Sequence, residues 1–561
     1  MKSFETDIEI ASRATLHHIH EVAAKLGLQP DDLDLHGSYK AKVRYPAIRR
    51  ILESDAQEAP LVLVSAITPT AAGEGKTTCT IGLTQALNRL GKNATATLRE
   101  PSMGPVFGRK GGAAGGGHSQ VLPMEDINLH FTGDLHAITA ANNLIAAVLD
   151  NEFYFDNEKD ISSQYILWRR AMDINDRTLR NVVTGQSGNA ANPLTETGFD
   201  ITAASTIMAI LCLSSSYEQL KEKVGNILLA FNQNAEPFTA GELGISGAAA
   251  ALLREALLPN LVQTSEHTPA FVHGGPFANI AQGTCSVLSM RLARKMSDYV
   301  ITEAGFGFDL GGEKFLDLVG PYGNLMPSMV VLVATVRGLK LHGGVASDQL
   351  HVPSVDAVWK GAGNLEKHLE NVRKFGLQPI VAINRFPTDT QEELDAARGI
   401  CERAGFDCSV VNYREDGGSG GEELAEKVVA AIDAGESWAQ PLYDWRLDVE
   451  DKISTIATEI YGADDVEYTF SAQEDLRLIR QHGYDKLPIC MAKTHESLSD
   501  DRTLRGRPHG FKITVRDIII SSGGGFLIPL TGKILRMPGL PKRPAAFGID
   551  VDTEGGITGL F

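Results

Sequence analysis

Residues 61–78, which read LVLVSAITPTAAGEGKTT, combine residue types and spacings suited to phosphate chemistry. Their first part, 61–67, is fully apolar, as is typical of a strand buried on both faces of a parallel sheet. The residues that follow would approach the phosphates: Thr70, Ala71, Ala72, Gly73, Glu74, Gly75, Lys76, Thr77 and Thr78. Unpaired N–H groups at a helix start attract anions. Lys76 would reach the β- and γ-phosphates, and the Thr77 hydroxyl would bind Mg²⁺.

The spacing resembles a phosphate-binding loop, although the strict pattern has glycine where Thr70 stands. An ordinary strand–turn–helix with a surface lysine is the alternative. Because an apolar strand precedes the turn and helix-spaced apolar residues follow it, the first interpretation is favoured. The sequence therefore predicts that the protein binds a nucleoside triphosphate.

Composition limits the other functions. The formal net charge of −18 argues against non-specific binding to nucleic acid, which needs a basic surface. Six scattered cysteines, without a C-x-x-C pair, predict reduced thiols and no zinc site. The first residues lack the order of a signal peptide, and the apolar runs are too short to span a membrane. We expect a cytoplasmic protein without a membrane partner.

The 561 residues predict several domains, because one core does not extend over such a length. Alternating apolar strands and helical stretches predict an α/β, P-loop NTPase-like domain with a mostly parallel sheet and helices on both faces, from residues 1–150 and 295–445. An inserted domain (151–294) and a C-terminal domain (446–561) would be smaller α+β units. Residues 1 to about 60 are predicted to be helical, with breaks at Pro30 and at His36-Gly37.

Several charged residues follow the second predicted strand, at the edge where open α/β sheets bind ligands. Arg99 could grip a carboxylate or a transferring phosphoryl group, or instead form a structural ion pair with Glu100. Asp134 could bind a cation or simply cap a helix. The Gly-rich loop 104–117, which contains Arg109 and Lys110, is predicted to approach a ligand rather than to serve as a linker.

The residues after the strand at 380–383 bear on nucleotide choice. A guanine-binding loop would have Asn-Lys-x-Asp there, but Pro387 takes the place of the aspartate, so ATP is favoured over GTP. Phe386 beside Pro387 offers a flat apolar surface for a planar ring. Phe306 and Phe308, in a Gly-rich loop, could stack a heteroaromatic ligand or could anchor the core.

Residues 40–561 closely resemble the formate–tetrahydrofolate ligase family, also called 10-formyltetrahydrofolate synthetase. The motifs that carry the resemblance are TPTAAGEGKTT, LREPSMGPVFGRKGGAAGGG, INLHFTGD, TPAFVHGGPFANIA, EAGFGFDLGGEKF, AINRFPTDT, KLPICMAKT, GFKITVRD and MPGLPKRPAA. The resemblance implies synthesis of 10-formyltetrahydrofolate from formate, ATP and tetrahydrofolate, with release of ADP and phosphate and with formyl phosphate as the intermediate. It also implies Mg²⁺-dependent use of ATP, activation by a monovalent cation (K⁺ or NH₄⁺) and a homotetramer.

The resemblance also implies roles for single residues. Lys76, Thr77, Thr78 and Mg²⁺ would hold the phosphates, and Arg99 would hold formyl phosphate. Glu100 and Asp134 match acidic positions near that site, in cation or phosphate-network roles. The pterin would lie between three residues, namely Phe306, Phe386 and Pro387.

One departure concerns the pterin. Where the family has a tryptophan that stacks on the ring, this chain has Arg414, with Tyr413 beside it. Either the Tyr413 ring or the guanidinium plane of Arg414 is expected to take over the stacking.

Two other classes of protein share part of this pattern. A partitioning or metal-insertion ATPase would have a second lysine in the loop, where this chain has Ala71. A ligase on the same fold could also activate another carboxylate, and the residues alone leave this alternative open.

Overall fold

A computed structural model describes residues 5–108, 114–155, 157, 159–186, 194–435, 437–532 and 534–560. Residues 109–113, the part of the Gly-rich loop that contains Arg109 and Lys110, lie outside the described residues.

The strands are β1 (Leu33–Leu35), β2 (Ala41–Val43), β3 (Leu61–Ala66), β4 (Ala94–Leu98), β5 (Gly115–Gly116), β6 (Ser119–Leu122), β7 (Ile161–Ile166), β8 (Arg170–Met172), β9 (Val182–Thr184), β10 (Thr195–Thr197), β11 (Phe199–Ile201), β12 (Leu228–Asn232), β13 (Pro237–Thr239), β14 (Asn260–Thr264), β15 (Pro269–Val272), β16 (Tyr299–Glu303), β17 (Met329–Ala334), β18 (Pro379–Asn384), β19 (Cys408–Val411), β20 (Asp465–Tyr468), β21 (Lys512–Val515), β22 (Asp517–Ser521), β23 (Phe526–Leu530), β24 (Asp550–Val551) and β25 (Ile557–Thr558).

The helices are α1 (Asp7–Arg13), α2 (Ile19–Ala24), α3 (Tyr45–Leu52), α4 (Lys76–Arg89), α5 (Met103–Phe107), α6 (Met124–Asn128), α7 (Asp134–Tyr154), α8 (Thr206–Cys212), α9 (Tyr217–Gly225), α10 (Ser246–Leu252), α11 (Val287–Met296), α12 (Gly320–Gly323), α13 (Val336–His342), α14 (Val355–Lys360), α15 (Ala362–Lys374), α16 (Gln391–Ala404), α17 (Tyr413–Asp416), α18 (Glu422–Ala434), α19 (Val449–Thr455) and α20 (Phe470–Gln481).

One large mixed sheet organises the molecule. Its order is β1-β2-β14-β15-β4-β16-β3-β17-β18-β19, with β5 and β6 attached beside β14. The strands from β15 to β19 in this order run parallel to one another, whereas the pairs at the β1 end are antiparallel. The prediction of an α/β protein with a mostly parallel sheet is therefore confirmed.

Strand β3 lies inside this sheet and explains why its sequence is apolar without alternation. Leu61 and Leu63 pack into one core, whereas Val62 and Val64 pack into a second core on the opposite face. Helix α4 contributes to the second core and helices α13 and α15 to the first. A strand covered on both faces needs apolar residues at every position, so the pattern at 61–67 indicated its place correctly.

One prediction about the fold differs from the structure. The first 60 residues are not all helical, because β1 and β2 pair there and extend the sheet. These strands are only three residues long, too short for alternation to reveal them. Strands β14 and β15, which lie within the segment 151–294, pair into the large sheet, and the division of the chain into domains stays a prediction. In the described part of the chain, no helix is both long and apolar enough to cross a membrane.

Close packing of α4 against the start of α17 yields a stability prediction. A Cβ atom on Gly82 would lie 2.2 Å from Cγ of Tyr413, whose ring is fully buried. Gly82→Ala should therefore lower the free energy of unfolding by about 1–3 kcal/mol, despite the better helix propensity of alanine. Thermal melting measures the change. Gly363→Ala in α15 is the control, because its Cβ would meet only an ordinary contact at 3.4 Å; equal melting temperatures of the two variants would contradict the prediction.

Candidate active site

The loop 68–75 between β3 and α4 is shaped by the buried carboxylate of Glu74. Its Oε1 accepts a hydrogen bond from the backbone N–H of Thr70 at 2.7 Å, and its other oxygen accepts one from the Thr335 hydroxyl. Gly73 and Gly75 adopt φ values of 79° and 77°, which glycine reaches without steric cost. The predicted anion-binding turn thus has a charged side chain inside it that holds its backbone in place.

Gly75 is required for a second reason. A Cβ atom there would lie 2.4 Å from Nδ2 of Asn384, which donates to the backbone oxygen of Glu74 at 2.9 Å. Asn384 is the last residue of β18, so the end of that strand rests directly on the 68–75 loop. Helix α4 begins at Lys76, and its first N–H groups therefore lie at the carboxyl edge of the sheet.

Glu303 joins two predicted site residues and was missed by sequence reasoning. It ends β16, the strand between β3 and β4. Its Oε2 accepts a hydrogen bond from the Thr77 hydroxyl at 2.8 Å, and its Oε1 lies 3.4 Å from a guanidinium nitrogen of Arg99. A glutamate at the end of the apolar run YVIT was the available signal. The ends of three adjacent strands therefore meet around one carboxylate.

The charged groups at this edge act on the pKa of Lys76 in opposite directions. Burial lowers the pKa of Lys76, the negative charge of Glu303 opposes this shift, and the positive charge of Arg99 adds to it. Arg99 retains a buried Nε that has no hydrogen-bond partner among the described residues. A buried donor without a partner is costly, and an anion bound at the strand edge would satisfy it.

Glu100 and Asp134 belong to a second polar cluster. Both oxygens of Asp134 lie within 3 Å of Nζ of Lys42, in a buried ion pair, and Asn260 donates to Oδ2 at 2.8 Å. Glu100 is buried, and its Oε2 has no hydrogen-bond partner in the described structure. Burial, and then the negative charge of Asp134, raise the pKa of Glu100 well above its usual range. The sequence left open an ion pair between Arg99 and Glu100. In the structure Arg99 pairs with Glu303 instead.

The predicted pterin residues lie in loops at the carboxyl edge. Phe306 follows β16, and Phe386 with Pro387 follows β18, so these loops flank the 68–75 loop. Strands β16 and β18 are three positions apart, or about 14 Å. Both phenylalanine rings are half-buried, and the guanidinium carbon of Arg337 lies 3.7 Å from the centroid of the Phe386 ring. In contrast, Phe308 is fully buried and packs against Phe375 in the core.

The residues expected to replace the tryptophan have other contacts. The Tyr413 ring is fully buried between Gly82 and Gly421, and its hydroxyl lies 3.3 Å from the Gly421 carbonyl. It has no exposed face on which a ring could stack, because α4 and the following glycine turn enclose it. Arg414 pairs with Asp7 of α1 at 2.9 Å. Its guanidinium thus contacts the N-terminal helix, while 42% of the side chain remains exposed.

The 68–75 turn lies at the carboxyl edge of the parallel sheet, beside Lys76, Thr77, Arg99 and Glu303. Fixed charges and donors at such an edge are typical of enzymes that stabilise developing charge on a ligand. Comparison with known families gives the particular class. The family model described as formate–tetrahydrofolate ligase matches residues 5–561, essentially the whole chain. The protein belongs to this family and is therefore a ligase.

The pairing of Arg99 with Glu303 yields a kinetic prediction. Arg99→Lys keeps the charge but loses the planar fork of donors, so kcat should fall by about two to three decades while KM for ATP changes little. Steady-state kinetics and thermal melting on the same variant measure both effects. A destabilised variant with preserved kcat would mean that Arg99 serves only as the structural partner of Glu303.

Proposed function

We propose that the protein ligates formate to tetrahydrofolate at the expense of ATP, with 10-formyltetrahydrofolate, ADP and phosphate as products and formyl phosphate as the intermediate. The observation that carries the proposal is the junction of Thr77, Arg99 and Glu303, beside Lys76, at the end of three adjacent strands. Formate is a poor electrophile, and activation by phosphoryl transfer requires this combination of positive charge and cation-binding oxygens.

The 68–75 loop is proposed to bind the phosphates of ATP in the manner of a P-loop NTPase. Its two glycines allow the backbone to approach the phosphates closely, and the N–H groups at the start of α4 would donate to them. Lys76 would place its ammonium group on the β- and γ-phosphates. The buried Glu74 has a different role, because it already holds the backbone of the loop.

The Thr77 hydroxyl and the Glu303 carboxylate fit Mg²⁺ as it is usually bound in phosphoryl-transfer sites. Such an ion takes one or two protein oxygens and completes its shell with water and phosphate oxygens, so a cluster of three acidic residues is not needed. The hydroxyl oxygen of Thr77 and Oε2 of Glu303 are 2.8 Å apart, so both can contact the same ion. When bound there, Mg²⁺ would neutralise charge on the β- and γ-phosphates.

Arg99 is proposed to stabilise the first chemical step. A formate oxygen attacks the γ-phosphorus, the bond to the ADP oxygen breaks, and negative charge accumulates on the transferred phosphoryl oxygens. Arg99 is held in place by Glu303 before the reaction begins, and its Nε, which has no hydrogen-bond partner in the part of the chain that the structure describes, can donate to the new charge. Because no reorganisation is required at that moment, this interaction lowers the barrier more than it strengthens substrate binding.

In the second step the folate amine attacks the formyl carbon, the carbon–oxygen bond to phosphate breaks, and phosphate leaves with its electron pair. The proton that the amine nitrogen loses passes to solvent. The pterin is proposed to lie between the loops that carry Phe306, Phe386 and Pro387, which flank the phosphate site. The aromatic rings would orient the amine toward the formyl group by stacking on the pterin.

Glu100 and Asp134 are proposed to bind the activating monovalent cation. Lys42 pairs with Asp134, and Oε2 of Glu100 is buried without a hydrogen-bond partner among the described residues. A K⁺ or NH₄⁺ ion would satisfy that oxygen and favour the ionised carboxylate. Activity measured with and without K⁺, in wild type and Glu100→Gln, tests this role, because the variant should lose the dependence of activity on K⁺.

We also propose that the protein is a homotetramer. Light scattering on the protein as it elutes from a size-exclusion column tests this proposal.

The function is tested by ADP release from ATP with formate, with acetate and without tetrahydrofolate. Turnover that is specific for formate and depends on tetrahydrofolate is expected. Hydrolysis of ATP without tetrahydrofolate would favour an ATPase switch, and turnover with acetate would indicate another ligase.

Lys76→Ala should lower turnover by about two to three decades with an unchanged melting temperature, since it removes one charge contact from the loop. Wild-type-like turnover of this variant would exclude the phosphate-loop assignment.

Glu303→Gln should raise the Mg²⁺ concentration needed for half-maximal activity by about 10- to 100-fold. The amide keeps the size of the side chain but loses the charge that attracts the ion and pairs with Arg99. Titration of activity with Mg²⁺ measures the shift. Glu422→Gln is the control, because it only removes an exposed ion pair with Arg89. An identical Mg²⁺ dependence in both variants would place the ion elsewhere.

A further inference from the structure

A loop from the C-terminal region, residues 493–499, is joined by a buried ion pair to the segment that carries Phe306. Lys493 is fully buried, and its Nζ lies 2.7 Å from Oδ2 of Asp309, three residues after Phe306. The same ammonium group donates to the backbone oxygens of Thr494 and Ser497. A buried charge with this many partners is costly to break, so the ion pair fixes the position of one loop relative to the other.

Close to this ion pair, the imidazole of His495 stacks on the ring of Phe306. The two ring centroids are 4.3 Å apart and the planes are inclined by 22°, which is a stacked arrangement. Stacked aromatic pairs attract each other beyond the effect of their buried area. His495 is half-buried, and the next residue, Glu496, is exposed, so within this short loop the imidazole is the side chain directed at Phe306.

Phe306 has a backbone conformation that needs such support. Its φ is 59°, in the left-handed region that a bulky side chain rarely occupies. A strained residue of this kind persists only where its surroundings hold it, and such residues concentrate at functional sites. The stack with His495 supports the Phe306 ring, and the buried Lys493–Asp309 pair anchors its loop.

We propose that His495 is a positioning residue of the folate site, whose imidazole supports the strained Phe306 so that the ring is ready to stack on the pterin of tetrahydrofolate. The inference rests on the proposed function, since it assigns a support to a ring that the function needs. It extends the site to a segment nearly 200 residues away along the chain, which the structure brings to the carboxyl edge of the sheet.

The test compares His495→Ala, His495→Gln and His495→Phe with Glu496→Ala as the control in the same loop. His495→Ala and His495→Gln should raise KM for tetrahydrofolate about three- to tenfold, the equivalent of one aromatic pair. KM for ATP and the melting temperature should stay near the wild-type values. His495→Phe should restore KM for tetrahydrofolate, because phenylalanine keeps a flat ring on Phe306, and Glu496→Ala should behave like wild type.

Four results would overturn the proposal. The first two are an unchanged KM for tetrahydrofolate in both His495→Ala and His495→Gln, and a His495→Phe variant no better than His495→Ala. The other two are an equal rise in KM for ATP and an equal effect of Glu496→Ala, and either of these would mean a general loss of loop structure. Failure of the proposed function itself is recognised separately, because the wild-type protein would then show no turnover that depends on tetrahydrofolate.

Discussion

The carboxylate of Glu303 is the constraint on which the arrangement of the site depends. Strand β16 lies between β3 and β4, so the residue at its end is within reach of both neighbouring strand ends. One oxygen of Glu303 accepts from Thr77 and the other pairs with Arg99. Two groups separated along the chain thus acquire a fixed relative position before any substrate binds, which is what electrostatic catalysis requires.

Buried ion pairs and buried polar atoms without a partner both occur among the described residues. Lys42 with Asp134 and Lys493 with Asp309 are buried ion pairs that hold segments together. Arg99 pairs with Glu303 and also keeps a buried donor without a hydrogen-bond partner in the described structure. A buried ion pair is costly to break and so provides structure, whereas an unsatisfied guanidinium donor at the strand edge is a place where an anionic ligand can contribute binding energy. In a protein with a net charge of −18, such local positive groups are what an anionic substrate needs.

The aromatic residues near the site fall into two groups, those buried in the core and those partly exposed at the carboxyl edge of the sheet. Phe308 and Tyr413 are enclosed by the core, where neighbouring glycines leave room for their rings. Phe306 and Phe386 remain at the carboxyl edge, each with a second side chain, His495 or Arg337, against the ring. Residue type does not separate these two groups, because phenylalanine and tyrosine occur in cores and in binding sites alike.

The sequence by itself determined the parallel sheet, the strand–turn–helix at 61–78 and the family, because continuous apolar runs and glycine turns are local signals. Arg99 was likewise predicted to lie at a strand end, and it follows the last residue of β4 directly. Only the tertiary structure decided that Arg99 pairs with Glu303 rather than with Glu100, that Tyr413 is buried, and that His495 rests on Phe306. These facts depend on the order of strands in the sheet and on contacts between distant segments, and neither leaves a periodic trace along the chain.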